Sequence, residues 1–316
     1  MKLQTKVPLK QSTFQIDYSS KLLLLGSCFA EHIGSKFTYF KMQSETNPFG
    51  ILFHPKAIEQ LVQNAVLKEE YTEKDIFNQN ERWHCFNAHS VLSTPSKQEL
   101  LQNLNSAVAQ TNTCISTATH VVITLGTAWV YKHLSLGKVV ANCHKVQQKE
   151  FNKQLLTVEE IEVSLQQIIT LVKKINPTTK FLFTVSPVRH IKDGFIENQR
   201  SKSHLLTAVH NVIERNLNFA FYFPSYEIMM DELRDYRFYK DDMVHPSSLA
   251  VDYIWEKFAD NWLTKEALVT AEKVASVQRG LLHRPFNSES KEHQKFLKSL
   301  EEKITYLQKE YPFIIF

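Results

Sequence analysis

The sequence predicts an α/β fold, a mainly parallel sheet with helices on both faces. Two observations lead there. Four short runs, KLLLLG (21–26), HVVITLG (120–126), KFLFTVSPV (180–188) and NFAFYFPSYEIM (218–229), are rich in leucine, β-branched and aromatic residues and are long enough only for strands. Their apolar residues run on without alternation, the pattern of strands buried on both faces of a parallel sheet. Between them lie helical windows at 96–110, 157–175 and 199–217. Strand alternating with helix argues for an open α/β sheet that gathers its functional groups at the carboxyl ends of the strands.

Taken in order, the first strand runs into Gly26-Ser27-Cys28 and then a helical pattern, FAEHIGSKFTYF. Residues of about 56–110 read as a helical insertion before the next strand. After that strand, AWVYKHLSLGKVVANCHKV carries two alternating segments around Ser-Leu-Gly, which predicts a β-hairpin over about 129–146. From residue 263 the sequence is dense in Lys and Glu, with apolar residues three and four apart. This predicts an α/β domain over 1–262 and an amphipathic helical extension over 263–316. The extension either packs on the body or joins copies of the chain into a homo-oligomer.

Composition excludes several function classes. The chain has 316 residues, 43% hydrophobic and 22% charged, with a formal net charge of +4. The small basic surplus is spread along the chain, with no like-charge block to serve as a nucleic-acid arm. The apolar run at 22–25 is far too short for a signal sequence or a membrane span, so the expected location is cytoplasmic. Cys28, Cys85, Cys114 and Cys143 are widely spaced and read as reduced thiols. The histidines of WHCFNAHS (83–90) and NCHK (142–145) lack metal-ligand spacing; packing is the expected role, and neither metal nor cofactor is expected.

Candidate chemistry lies in two places. Ser27 stands where a strand meets a helix N-terminus, a location that favours developing negative charge. Read alone, it is first a helix cap. Far along the chain, Asp242-Met-Val-His245 puts a carboxylate and an imidazole within one turn, ahead of a helix opened by Pro246. Such a pair can turn a hydroxyl into a nucleophile, Asp242 orienting His245 and His245 taking the proton. Cys28 is a second nucleophile candidate, with packing beneath the turn as its expected role. Arg189 and His190, at the end of the 180–188 strand, are placed for substrate contact; a surface salt bridge is an equal reading for Arg189.

Six ordered blocks, GSCFA (26–30), NPFGILFHP (47–55), VITLGTAWVY (122–131), VVANCHK (139–145), VSPVRH (185–190) and FPSYEIMMDELRDYRFYKDDMVHPS (223–247), resemble the GSCFA family, which looks like a branch of the SGNH, or GDSL-like, hydrolases. The resemblance implies a flavodoxin-like αβα sandwich and a serine-dependent esterase or acyltransferase. Its substrate would be a small-molecule or carbohydrate ester, with no nucleic-acid or membrane partner. It further implies Ser27 as nucleophile, Asp242 and His245 as its partners, and Gly50 as an oxyanion-hole donor. The asparagine that SGNH enzymes carry in their third block is missing, for the chain reads Gly126-Thr127-Ala128. Asn142 is the preferred substitute donor. Thr127 offers a hydroxyl; Asn47 offers an amide as well, with the start of an Asn-Pro turn as its expected role. The gap also admits a non-catalytic, ligand-binding role.

Overall fold

A computed structural model describes residues 4–316. Its centre is a five-stranded, wholly parallel sheet built from β1 (Lys21–Gly26), β2 (Gln43–Thr46), β5 (His120–Leu125), β9 (Lys180–Val185) and β10 (Ala220–Tyr222). The spatial order is β2-β1-β5-β9-β10. The chain winds outward from β1 to β2, then returns past β1 to β5 and continues the other way. The switch therefore falls between β1 and β5, where an open sheet leaves a crevice at its carboxyl ends.

The central strands run unbroken in apolar residues because both of their faces are covered. Leu23 and Leu25 join Val121, Ile123, Phe181 and Phe183 in one core, under α2 (Pro55–Leu67), α3 (Lys97–Thr117), α4 (Val158–Ile175) and α5 (Phe195–Glu214). Leu22 and Leu24 turn the opposite way, to a second core with Val122 and Leu182. That face is covered by α1 (Cys28–Tyr39), α7 (Ser248–Trp262), α8 (Lys265–Leu281) and α9 (Lys291–Glu310). Between β10 and α7 a short turn, α6 (Ser225–Glu227), runs into a π-helical turn, Ile228–Glu232. Burial of each leucine contributes roughly 1.5–3 kcal/mol, so the period-two split of 22–25 between two cores fixes the sheet in the middle layer.

Helix ends follow local chemistry. Thr157 and Glu160 form a capping box at α4. His54 accepts from the Ala57 N–H at 3.1 Å through Nδ1, with Pro55 opening α2. Its Nε2 then donates to the Val140 carbonyl at 3.1 Å, and burial pushes the imidazole down to about 4, which keeps it neutral.

Two sequence expectations need correction. The insertion over 56–110 is not wholly helical: between α2 and α3 it holds an antiparallel hairpin, β3 (Ile76–Gln79) with β4 (Arg82–Cys85). The hairpin over 129–146, β6 (Trp129–His133) with β7 (Val139–Val140), is part of a three-stranded sheet. Its longer ladder runs from Trp129↔Leu155 to His133↔Phe151 on β8 (Phe151–Leu155). Asn152, Lys153 and Gln154 make β8 too polar to read as a strand; it is held by backbone pairing. The C-terminal helices pack on the body: Val274, Val277, Leu300 and Leu307 share the core that contains Leu22 and Phe37. No helix among the described residues is long and apolar enough to cross a membrane.

Candidate active site

The register Gly26↔Thr124 brings the carboxyl ends of β1 and β5 side by side. Gly26 has φ +138°, and a Cβ there would lie 2.1 Å from the Thr124 carbonyl oxygen. Only glycine allows the chain to leave the sheet this closely. The Ser27 N–H donates to Thr124 O at 3.0 Å, and α1 begins at the next residue.

This geometry separates two side chains that sequence could not. Ser27 is 1% exposed, and its Oγ accepts from the Phe29 N–H at 3.3 Å, a helix cap. No hydrogen bond joins it to His245. Cys28, at the first position of the helix, is only partly buried. Burial and the Glu31 carboxylate push its thiol up; the N–H groups of Cys28 and Phe29 and the positive charge of Lys202 act against them. A thiol in that setting is protonated at rest and needs a base before it attacks.

The base half of the site is a loop over 239–247. Tyr239 and Pro246 form a bridge that closes it, and Met243 at φ +56° turns it. Asp242 Oδ1 accepts from the N–H groups of Val244 and His245, each at 2.9 Å, and Oδ2 accepts from His245 Nδ1 at 2.7 Å. These bonds, that from the His245 N–H foremost, hold the Asp242 carboxyl at about 2. With Nδ1 engaged, the free position of His245 is Nε2. The loop is tied to the sheet by the Arg189 N–H, which donates to Val244 O at 3.2 Å. It also faces α1: His32 is pushed down by burial and by the charges of Lys240 and His245.

The remaining expected residues divide. The Gly50 N–H already donates to Asn47 O at 2.7 Å, so it closes a turn and is not free for a substrate oxygen. Asn142 Oδ1 accepts from the His144 N–H at 2.8 Å, and the Asn142 N–H donates to Phe86 O at 3.3 Å; its partners belong to the hairpin region. Thr127 Oγ1 is buried, sharing a hydrogen bond with Ser201 Oγ at 2.9 Å and accepting from the Trp129 N–H at 3.1 Å. It is a structural hydroxyl, not a substrate contact. The oxyanion role expected of Gly50 and Asn142 finds no free donor geometry for the first and no link to the Gly26–Cys28 turn for the second.

Arg189 and His190 follow β9, where the Arg189 N–H holds the 239–247 loop. Arg189 Nε donates to Asn198 Oδ1 at 2.8 Å, and no carboxylate among the described residues pairs with the guanidinium. His190 stacks on Phe53 at 5.5 Å, with Nε2 buried and unpartnered. Burial, then Lys202 and His245, press its imidazole down to about 3, so it is neutral.

Asn47 keeps a free amide N–H beside the turn, unlike Gly50. It adopts φ +47°, starts its turn as expected, and accepts the Gly26 N–H through Oδ1 at 2.8 Å. That bond fixes the amide orientation and leaves Nδ2, which is buried and unpartnered, beside the end of β1. Sequence reasoning missed Lys202, which lies on the apolar stripe of α5 with Leu205 and Val209. His84 binds Ser93 Oγ and Gln79 O, and His144 Nε2 lies 2.7 Å from Cys85 O. The four cysteines are free thiols.

The order of these parts along the chain can be set against known families. The GSCFA family matches residues 21–258, three quarters of the sequence. The chain belongs to the GSCFA family. The GSCFA domain protein, C-terminal domain, matches residues 274–316, which cover the second half of α8 and all of α9. No curated protein matches the chain. Every part of the site, from Gly26 to His245, falls inside the main GSCFA match.

Proposed function

We propose that this GSCFA protein is an SGNH-like enzyme of acyl transfer, an ester hydrolase or acyltransferase acting on a small acyl ester, with Cys28 in place of Ser27 as nucleophile. The observation that carries this reading is the Asp242–His245 pair, locked by three hydrogen bonds and tied to the end of β9 beside the sheet's switch point. A base so fully oriented, with one ring nitrogen left over, has the form that activates a neighbouring nucleophile.

The step proceeds as follows. His245 Nε2 takes the proton from Cys28 Sγ as sulfur attacks the acyl carbonyl. The tetrahedral oxyanion is met by Asn47 Nδ2 and by the Cys28 N–H, which as the first helical residue has no intrahelical acceptor. Collapse forms a thioester and expels an alkoxide, which takes the proton from His245. Water or an acceptor alcohol, deprotonated by His245, cleaves the thioester and restores the thiol. Arg189 favours an ester bearing an anionic group.

Hydrolysis of short aryl esters and thioesters by the wild type, Cys28→Ala and Ser27→Ala tests the assignment. Turnover is expected to vanish in Cys28→Ala. Ser27→Ala should retain most of it while losing about 1 kcal/mol of stability with its cap. Loss of turnover in Ser27→Ala alone would return the nucleophile to the serine. Binding with no turnover by any of the three would favour the ligand-binding role that the missing third-block asparagine suggests.

A further inference from the structure

Beyond the carboxyl end of β9 lies a cleft of about 270 Å³, walled by Arg189, Phe195, Met230, Tyr236, Tyr239 and Met243. It is bounded by the residues that follow β9, by the π-helical turn and by the 239–247 loop. Its apolar groups stay open to solvent: Phe195, Tyr236 and Met243 are 67%, 74% and 52% exposed. In the π-helical turn the Leu233 N–H reaches back five residues to Ile228 O at 3.1 Å, and Met229 and Met230, inside this wider turn, both line the cleft. The turn is held from behind. Its last residue, Glu232, is buried, accepts from the Val7 N–H at 2.6 Å and pairs with Lys257 Nζ at 3.2 Å.

Charge around the cleft is paired except at one point. Arg234 Nη2 donates to Asp231 Oδ1 at 2.5 Å, and Arg237 Nη2 donates to Asp235 Oδ2 at 2.9 Å. Lys202 is wholly buried, with Nζ donating to Gly126 O at 2.8 Å and to Ser186 O at 2.6 Å. Arg189 differs. Asn198 Oδ1 orients its Nε at 2.8 Å, Nη1 faces the weakly accepting sulfur of Met230 at 3.6 Å, and no carboxylate among the described residues pairs with it. A half-buried guanidinium without an anion, set among methionine and aromatic side chains, has the make-up of a pocket for a ligand with an apolar body and one ionic anchor.

We infer that this cleft binds a small carboxylate with an aryl or short alkyl body, its charge on Arg189 and its body against Met230, Tyr239 and Met243. The volume is just under the usual range of about 300–1,000 Å³ for ligand pockets, which keeps the body small. Tyr239 and Met243 belong to the loop of Asp242 and His245, so the bound molecule touches the segment that carries the base. That this carboxylate is the charged end of the ester rests on the proposed function; its binding does not.

The probes are phenylacetate and its uncharged analogue phenylacetamide, titrated into the full chain and followed by NMR of isotope-labelled methionine methyl groups. Met229, Met230 and Met243 report on the cleft, and Met42, buried in the core with Phe37, is the internal control. Phenylacetate is expected to shift the three cleft signals saturably, to leave Met42 in place, and to bind about tenfold tighter than phenylacetamide. Arg189→Gln should abolish that preference while phenylacetamide binds as before, and Arg234→Gln should keep it. Equal affinity for the two probes in the wild type, or no saturable shift of the cleft signals, overturns the inference without recourse to any variant. A preference retained in Arg189→Gln overturns it as well. The two readings fail separately. Carboxylate-selective binding without ester turnover removes only the acyl-transfer reading, and Cys28-dependent turnover without carboxylate-selective binding removes only this one.

Discussion

The two halves of the candidate site are built on opposite principles. The turn over 26–28, with Asn47 and Lys202 around it, is largely buried, and its groups are tuned by desolvation, backbone amides and one enclosed amine. The loop over 239–247 is largely open to solvent, and Asp242 is held down by hydrogen bonds foremost, with the charge of His245 adding to them. The difference teaches that reactivity and architecture are coupled in the first half and nearly independent in the second. A side chain at Gly26 must disturb the sheet, whereas a substitution in the loop can remove chemistry and leave the fold whole.

The sharpest way to break this contrast is Gly26→Ala. The new Cβ meets the Thr124 carbonyl at 2.1 Å in a backbone conformation that L-residues avoid. Loss of the cooperative thermal transition is expected, and a melting temperature within two or three degrees of wild type would show that the turn is not rigid. Next in size is Asp242→Asn. Ester turnover should fall about a hundred- to ten-thousand-fold while the melting curve stays in place. A fall in stability matching the fall in rate would make the loop as structural as the turn.

The smallest effect is one of pH. The Lys202 amine is near 7 in the folded chain and near its ordinary value of 10.5 when unfolded. Between those limits the unfolded chain binds the extra proton, so the amine's contribution to stability rises with pH. Urea midpoints of wild type relative to Lys202→Met should therefore improve from pH 7 towards 10.5. A flat difference would place the amine outside the buried half of the site.

Much of this was legible in the residues. Continuous apolar runs marked the central strands, because burial on two faces leaves no polar alternation. Asp242 and His245 were legible because their three-residue spacing is local. The inward turn of Ser27 as a buried cap was not, since it depends on the sheet register. Asn47 reads as a turn former and is one; its unpartnered amide appears only once Gly26 is placed against it. Lys202 left a trace, a lysine on an apolar helical stripe, but its carbonyl partners come from two strands 76 and 16 residues away. Gly50 was misjudged because nothing in the sequence shows that its N–H is already engaged.

The core shared by β1 and the C-terminal helices bears on how the molecule comes to exist. Ile16, Leu22 and Leu24 wait for Leu307 and Ile314 to complete their layer. During synthesis α1 and α7 can cover that sheet face earlier, but its layer is completed only after nearly three hundred further residues have emerged, and unfinished apolar faces favour aggregation. The segment matched as a separate C-terminal domain is in this sense the closing piece of the first strand's own environment. A ribosome-stalled chain lacking it would present that unfinished face to chaperones.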